Sequence, residues 1–228
     1  MRVLAIDTAL GACSAVLFDT VTNQPLAIQS VEMNRGHAEA LIPLVERVMK
    51  AADAKFDAID RIATTVGPGS FTGLRVGIAA ARGFALACQK PAVGVTTLDA
   101  LSAPYVTEKE AVPVVAAIDA LHDNFYLHMV GAGGRMLVAP RIASLHEAIR
   151  AVALGLVRIV GSGATMLASH WPLQEVPAPL LVDPRPAPDV TWVARLGAAA
   201  DPERALPRPL YLRPPDARPQ DAHRLPRQ

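Results

Sequence analysis

The chain has 228 residues, enough for one or two compact domains with a sizeable core. Hydrophobic residues make up 51% of it but aromatic ones only 4%, so the core has to be built from Ala, Val, Leu and Ile. With 22 basic against 21 acidic residues the formal net charge is +1, which excludes a strong overall pull towards nucleic acid or an anionic membrane; tight tRNA or DNA binding by this chain alone is not expected.

Val3 to Ile6 and Cys13 to Phe18 read as short apolar strands joined by the small-residue turn "DTALGA", and Pro25 to Met33 as a third strand. His37 to Asp53 has helical period: Leu41, Leu44, Val45 and Val48 form one apolar face, and Ile42, Val45 and Met49 a second. That arc is wider than a helix on one sheet requires, and Pro43 should bend the helix or mark an early turn. Ile59 to Gly67 is a further strand, followed by the loop "VGPGSFTGLRVG" (66–77) and a helix over Phe71 to Cys88. A strand at Pro91 to Thr97 and a short helix "LDALSA" close the first half. A polar linker is expected from Pro104 to Val112. The second half opens with two more strands, "VPVVAAIDA" and "NFYLHMV". Ser144 to Val152 is a helix with Ser144 as N-cap and Glu147 completing a capping box. "VRIVGSGA" follows as strand and turn, with "GSGA" only a weak adenosine signal. Beyond Trp171 lie 13 of the 20 prolines, only Val190 to Ala200 looks helical, and the final "RPPDARPQDAHRLPRQ" reads as a mobile tail. Two α/β halves, each opening on paired strands with an Asp in the first turn (Asp7, Asp119), imply duplication of one fold.

The glycine-rich loop fails both phosphate fingerprints. Gly69 and Gly73 are three residues apart, and Leu74-Arg75 stand where a Walker loop needs Lys and a hydroxyl. Gly67 and Gly69 start a dinucleotide pattern, but Thr72 holds its third glycine position. The simpler reading is that Gly67-Pro68-Gly69 makes a turn and Ser70 caps the helix, a cap worth about 1 kcal/mol. Arg75, poorly placed for the helix dipole, should pair with an acid locally or across an interface. Gly73, Gly77, Ala80 and Ala81 form a stripe almost without side chains. Interior helical glycine costs about 1 kcal/mol relative to Ala, so another backbone must come close. Packing on the chain's own sheet and packing on a partner fit this equally; the two-faced first helix tips the reading towards a partner.

His37, His122, His128, His146, His170 and His223 include no metal-binding pair spacing, and no serine nucleophile elbow is present. Asp7 and Asp119, at strand ends, could hold Mg²⁺ or a water, against the plainer role of ending strands and capping turns. Cys13 and Cys88 form neither a metal spacing nor a disulfide framework, which fits a reducing, intracellular setting. Asp7 interrupts the apolar N-terminal run where a signal sequence would be uncharged, and Val76 to Cys88, broken by Arg82, is too short for a bilayer, so no membrane association is expected.

"VLAIDTA", "HAEALIPLVERV", "VGPGSFTGLRVGIAAARGFALA" and "PLYLR" together resemble the TsaB family, formerly called YeaZ. The resemblance runs from Met1 to about Leu121 and returns at Tyr211-Leu212-Arg213. It implies a degenerate member of the actin-like ATPase superfamily with two ribonuclease-H-like α/β lobes: 1–103 carrying the partner helices, 104–200 a smaller second lobe, and 201–228 a Pro/Arg-rich, partly mobile segment. It implies a scaffold subunit, not catalytic alone, of the cytoplasmic machinery that puts threonylcarbamoyl on N6 of the adenosine beside the anticodon of tRNAs reading codons that begin with A. The partners implied are a TsaD-like catalytic paralogue and a TsaE-like ATPase, with tRNA met only through the complex and a homodimer when the chain is alone. The interface would comprise Leu41, Ile42, Val45, Met49, Gly73, Gly77, Ala80, Ala81 and Phe84, with Gly67, Pro68, Gly69, Ser70, Thr72 and Arg75 setting the helix start. Asp7, Thr8 and Asp119 mark a candidate vestigial nucleotide site; no cofactor or metal of its own is expected, ATP or ADP being left to the assembled complex. The sequence departs from the family pattern at Ala9, where Ser is common, and at Leu121, where an Arg is common. Two rival readings are an active actin-like ATPase or kinase using Asp7 and Asp119, and a metalloprotease-like protein.

Overall fold

The computed structural model describes residues 1–106 and 112–212; most of the expected linker (107–111) and the expected mobile tail (213–228) lie outside them. The first sheet contains β1 (Arg2–Asp7), β2 (Ala12–Asp19), β3 (Gln24–Glu32), β4 (Arg61–Thr65) and β5 (Ala92–Val95), in the order β3-β2-β1-β4-β5. The second contains β6 (Val114–Asp119), β7 (Asn124–Val130), β8 (Met136–Ser144), β9 (Arg158–Val160) and β10 (Leu181–Asp183), in the order β8-β7-β6-β9-β10. In both, the first three strands run antiparallel and the last two join in parallel. Strand order and direction thus repeat element for element, the arrangement of two ribonuclease-H-like lobes. β1 and β2 are buried on both faces, which is why their sequences are nearly continuous apolar runs.

The described residues also form six α-helices: α1 (His37–Ala51), α2 (Phe71–Cys88), α3 (Thr97–Val106), α4 (Leu145–Val152), α5 (Ala164–Ser169) and α6 (Val190–Ala199). α1 and α2 lie side by side on one face of the first sheet. Leu41, Leu44, Val45, Val48 and Met49 all enter one core with Leu4, Ile6, Leu17 and Ile62. All of the wide apolar arc of α1 except Ile42 is used up inside the molecule, because the helix packs on β2, β3 and α2 at once. Pro43 sits within its first two turns without ending it.

One face of each sheet is covered by exchange. α3, which follows the first sheet, packs Leu98 and Leu101 against Val114, Ala116 and Ile118 of the second. α6, which follows the second sheet, returns 190–199 to the first, with Val190, Val193 and Ala194 against Val3, Ala5, Val16, Ala63 and Val93. α3 and α6 also touch, forming a middle layer between the sheets. A cut at residue 103 therefore separates α6 from the sheet it covers.

The helix "LDALSA" is longer than expected, continuing through Pro104, Tyr105 and Val106 where the linker was expected to begin. Three elements have no counterpart in the sequence reading: β8, α5 and β10. β8 contains Pro140, which an edge strand tolerates, while α5 and β10 are only 6 and 3 residues long. The capping box of α4 forms as expected, with Ser144 Oγ accepting from Glu147 N–H and Glu147 accepting from Ser144 N–H.

Candidate functional site: the glycine-rich loop and the helix it opens

Strand β4 ends at Thr65 beside Asp7 of β1, so the loop that follows must turn over the β1–β2 connection before α2 begins. The turn contains a cis Gly67–Pro68 peptide. Ser70 N–H then donates to Ala9 C=O (2.7 Å), and Thr8 Oγ1 donates to Gly73 C=O (2.7 Å). A Cβ at Gly69 would overlap Ala9 C=O, and one at Gly73 would overlap Thr8 C=O; at Gly77 it would stand 2.5 Å from Thr8 Oγ1 and 3.2 Å from Thr64 Oγ1. The glycines are there so that one backbone can lie directly on another. Ser70 Oγ accepts from Gly73 N–H (3.3 Å), making it the N-cap the sequence predicts. Ser70→Ala should lower unfolding free energy by about 1 kcal/mol in denaturant titrations, with the m-value unchanged.

This corrects the reading of the small-residue stripe. Gly73, Gly77 and Ala81 face inward, onto Thr8, Thr64 and the α1 core, and are closed to a partner. Leu41, Val45 and Met49 are closed in the same way. Ala80 and Phe84 are half-buried, Phe84 stacking on Phe56 at 5.7 Å, and of the expected interface residues only Ile42, 52% exposed, stands fully on the surface. What the sequence reading missed is the opposite side of α2. Ala79, Gly83, Leu86 and Ala87 are exposed, Leu86 at 83%, and a Cβ built on Gly83 meets nothing within 4 Å. Beside them a groove of about 450 Å³ is lined by Phe56, Asp57, Phe84, Ala87 and Cys88. α2 is long and apolar enough to cross a membrane by composition, yet only 28% of it is buried. Apart from Thr72, Arg75 and Arg82 the helix is apolar around its circumference, so with one stripe spent on the sheet another is left for something else.

Among the described residues Arg75 pairs with no acid. Its guanidinium lies 3.8 Å over the Phe71 ring and its Nε donates to Tyr211 Oη (3.4 Å). Tyr211 arrives on a C-terminal strap in which Gly94 N–H donates to Ala205 C=O, Arg82 to Pro207 C=O and Leu210 N–H to Val66 C=O. "PLYLR" is thereby explained in part: residues 209–212 run along the glycine loop, and Arg213 lies outside the described residues.

Asp7 is fully buried. Its Oδ1 accepts from Thr65 Oγ1 (2.5 Å) and Ala9 N–H (3.1 Å), and its Oδ2 has no hydrogen-bond partner among the described residues. Burial pushes its carboxyl up to about 6, against the hydrogen bonds of Thr65 and Ala9 and the charge of His37. A carboxyl raised in the fold stabilises it below the unfolded value of 3.8 and loses that contribution as pH climbs through 6, a difference of about 3 kcal/mol. Asp7→Asn should therefore exceed the parent chain in stability at pH 7.5 and match it near pH 4; an offset equal at both pH values would refute this. Asp119 is exposed, accepts from Leu121 N–H and donates its own N–H to Ser162 Oγ, and no hydrogen bond links it to Asp7. Among the described residues no three His, Cys, Asp or Glu side chains stand close enough to hold a metal ion.

Residues 27–153 match a family model described as TsaD, tRNA N6-adenosine threonylcarbamoyltransferase. The chain is 37% identical over 127 residues to the tRNA threonylcarbamoyladenosine biosynthesis protein TsaB of Escherichia coli, covering 55% of this chain and 53% of that protein. It is 31% identical over 130 residues to the Haemophilus influenzae TsaB, covering 57% of this chain and 54% of that one, so it spans about half the length of these curated relatives. An uncharacterized Mycobacterium tuberculosis protein is 31% identical over 220 residues, 95% of this chain and 94% of its own. Among solved structures, YeaZ from Pseudomonas aeruginosa superposes with a TM-score of 0.72 at 29% identity, covering 92% of this chain and 99% of that one. A polyphosphate/ATP-glucomannokinase from Arthrobacter (TM-score 0.52, 12% identity, 87% and 98% covered) shares the fold alone.

Proposed function

Because the chain belongs to the TsaB (YeaZ) family, we propose that it is a partner-binding, non-catalytic subunit of the cytoplasmic machinery that adds threonylcarbamoyl to N6 of the tRNA adenosine beside the anticodon. The observation that carries this reading is the exposed, mostly apolar side of α2 formed by Ala79, Gly83, Leu86 and Ala87, beside the Phe56–Phe84 groove. Exposed apolar surface of this extent marks a protein contact. The partner it fits is a TsaD-like paralogue offering its own helix pair, with a TsaE-like ATPase and tRNA joining the assembled complex. Without that partner the same face would close on a second copy of the chain.

The rival ATPase reading draws on the fold and on the free oxygen of Asp7. Against it, the backbone of Gly69 and Gly73 already lies on Thr8 and Ala9, leaving no room there for a phosphate. The test is calorimetric titration with a TsaD-like protein, together with steady-state assay using Mg²⁺-ATP. Leu86→Glu should weaken binding at least tenfold while melting like the parent chain, since Leu86 touches nothing in the core. Unchanged affinity in Leu86→Glu, or ATP turnover by the pure chain that Asp7→Asn abolishes, would overturn the proposal.

A further inference from the structure

The start of α2 and the C-terminal strap leave a second exposed surface, chemically unlike the first. Phe71 (52% exposed) and Tyr211 (48%) lie with ring centroids 5.8 Å apart, and Arg75 is stacked on the Phe71 ring. Arg82 sits two helical turns along α2, about 10 Å away at 1.5 Å per residue, and reaches Pro207, next to the exposed Arg208. Among the described residues no carboxylate pairs with Arg75, Arg82 or Arg208. Arg75 and Arg82 touch the strap at Tyr211 and Pro207, but they are not its sole attachment. Backbone bonds from Leu210 and to Ala205 hold it, and Leu212 packs with Leu98, Leu101 and Val114.

We infer that Phe71, Arg75, Arg82, Arg208 and Tyr211 form a docking platform for a single-stranded RNA segment. Three guanidiniums without a carboxylate among the described residues match a phosphodiester backbone, while the exposed Arg75 plane stacked on Phe71 and the neighbouring Tyr211 ring are what unstacked bases lie against. An acidic peptide would satisfy the arginines and leave the rings idle; the rings decide for RNA. The small net charge of the chain is no obstacle, because the cations are local, but it keeps binding weak and strongly dependent on salt. The inference rests on the functional reading above only in taking that RNA to be a tRNA loop.

The test is fluorescence anisotropy of a labelled anticodon stem-loop RNA with the full chain, at about 50 and 200 mM salt. Each of Arg208→Gln and Arg75→Gln should flatten the dependence of log Kd on log salt by about 0.7, the value for one single-strand phosphate contact. Phe71→Ala should weaken binding about tenfold with the slope unchanged. Titration of the same variants with a TsaD-like protein should be unaffected. RNA affinity that all three substitutions leave intact would overturn the inference, as would variants that lose the protein partner and keep the RNA. If the parent chain binds RNA through these residues but no TsaD-like protein, the platform stands and the functional reading falls. Among the described residues Arg208 makes no side-chain hydrogen bond or ion pair, so its variant keeps the test sound should Phe71→Ala fail to fold.

Discussion

Gly77→Leu is expected to melt at least about 10 °C below the parent chain, while Gly83→Leu, six residues further along the same helix, melts no lower and fails to bind the partner. The first added carbon at Gly77 already stands 2.5 Å from Thr8 Oγ1, which is itself fixed by its bond to Gly73 C=O. Three more carbons have nowhere to go, so either α2 lifts from β4 or the β1–β2 turn opens. Overpacking costs of 1–3 kcal/mol apply to single sites that can relax; about 3 kcal/mol or more is expected here, at roughly 2–4 °C per kcal/mol for a chain of this size. At Gly83 a side chain meets open space, and exchanging a helical glycine for leucine adds up to about 1 kcal/mol of helix propensity. Thermal melts with partner titrations separate the two sides of the helix. A Gly77→Leu chain that melts normally would refute the assignment of that face to the interior.

The second large effect is expected at Arg61. Its Nη1 donates to Gly197, Ala198 and Ala200 C=O at 2.9, 2.9 and 2.7 Å, closing the C-terminal end of α6 from the first residue of β4. These carbonyls have no helical partner of their own, and a cation there also meets the negative end of the helix dipole. Arg61→Ala should cost about 3 kcal/mol, from charged hydrogen bonds lost together. Arg61→Lys should recover only part of it, because a single ammonium cannot reproduce the reach of the guanidinium. Equilibrium urea unfolding gives both numbers, and a loss under about 1 kcal/mol in Arg61→Ala would show that water replaces the cap.

Much of this architecture can be read from the sequence because it rests on local period. The limits of α2 follow from Ser70 and the end of its apolar run, and the repeated strand pairs announce the duplicated fold. The same periodicity locates the glycine stripe but says nothing of what lies opposite it, since Thr8 and Gly73 are 65 positions apart in the chain. Arg75 is a similar case. An acid was the reasonable guess for a cation at a helix start, but its partner, Tyr211, is 136 residues away. The exposed side of α2 was legible in principle, as Ala79, Gly83 and Leu86 recur at helical spacing, but small residues there look the same as those on the buried side.

The exchange of α3 and α6 has a consequence for how the protein is made. The sheet face of Val3, Ala5, Val16 and Ala63 stays bare until Val190, Val193 and Ala194 have been synthesised. At roughly 5–20 residues per second the ribosome needs about 10–40 s to cover that distance. For all of that time the newborn chain carries an uncovered apolar sheet, a state prone to aggregation, and contacts so distant in sequence also slow folding. A messenger broken anywhere before the codons of α6 yields no usable half-protein, only a sticky fragment for chaperones and proteases. Duplication has here produced a molecule whose first lobe is finished by a helix made only after every strand of the second sheet.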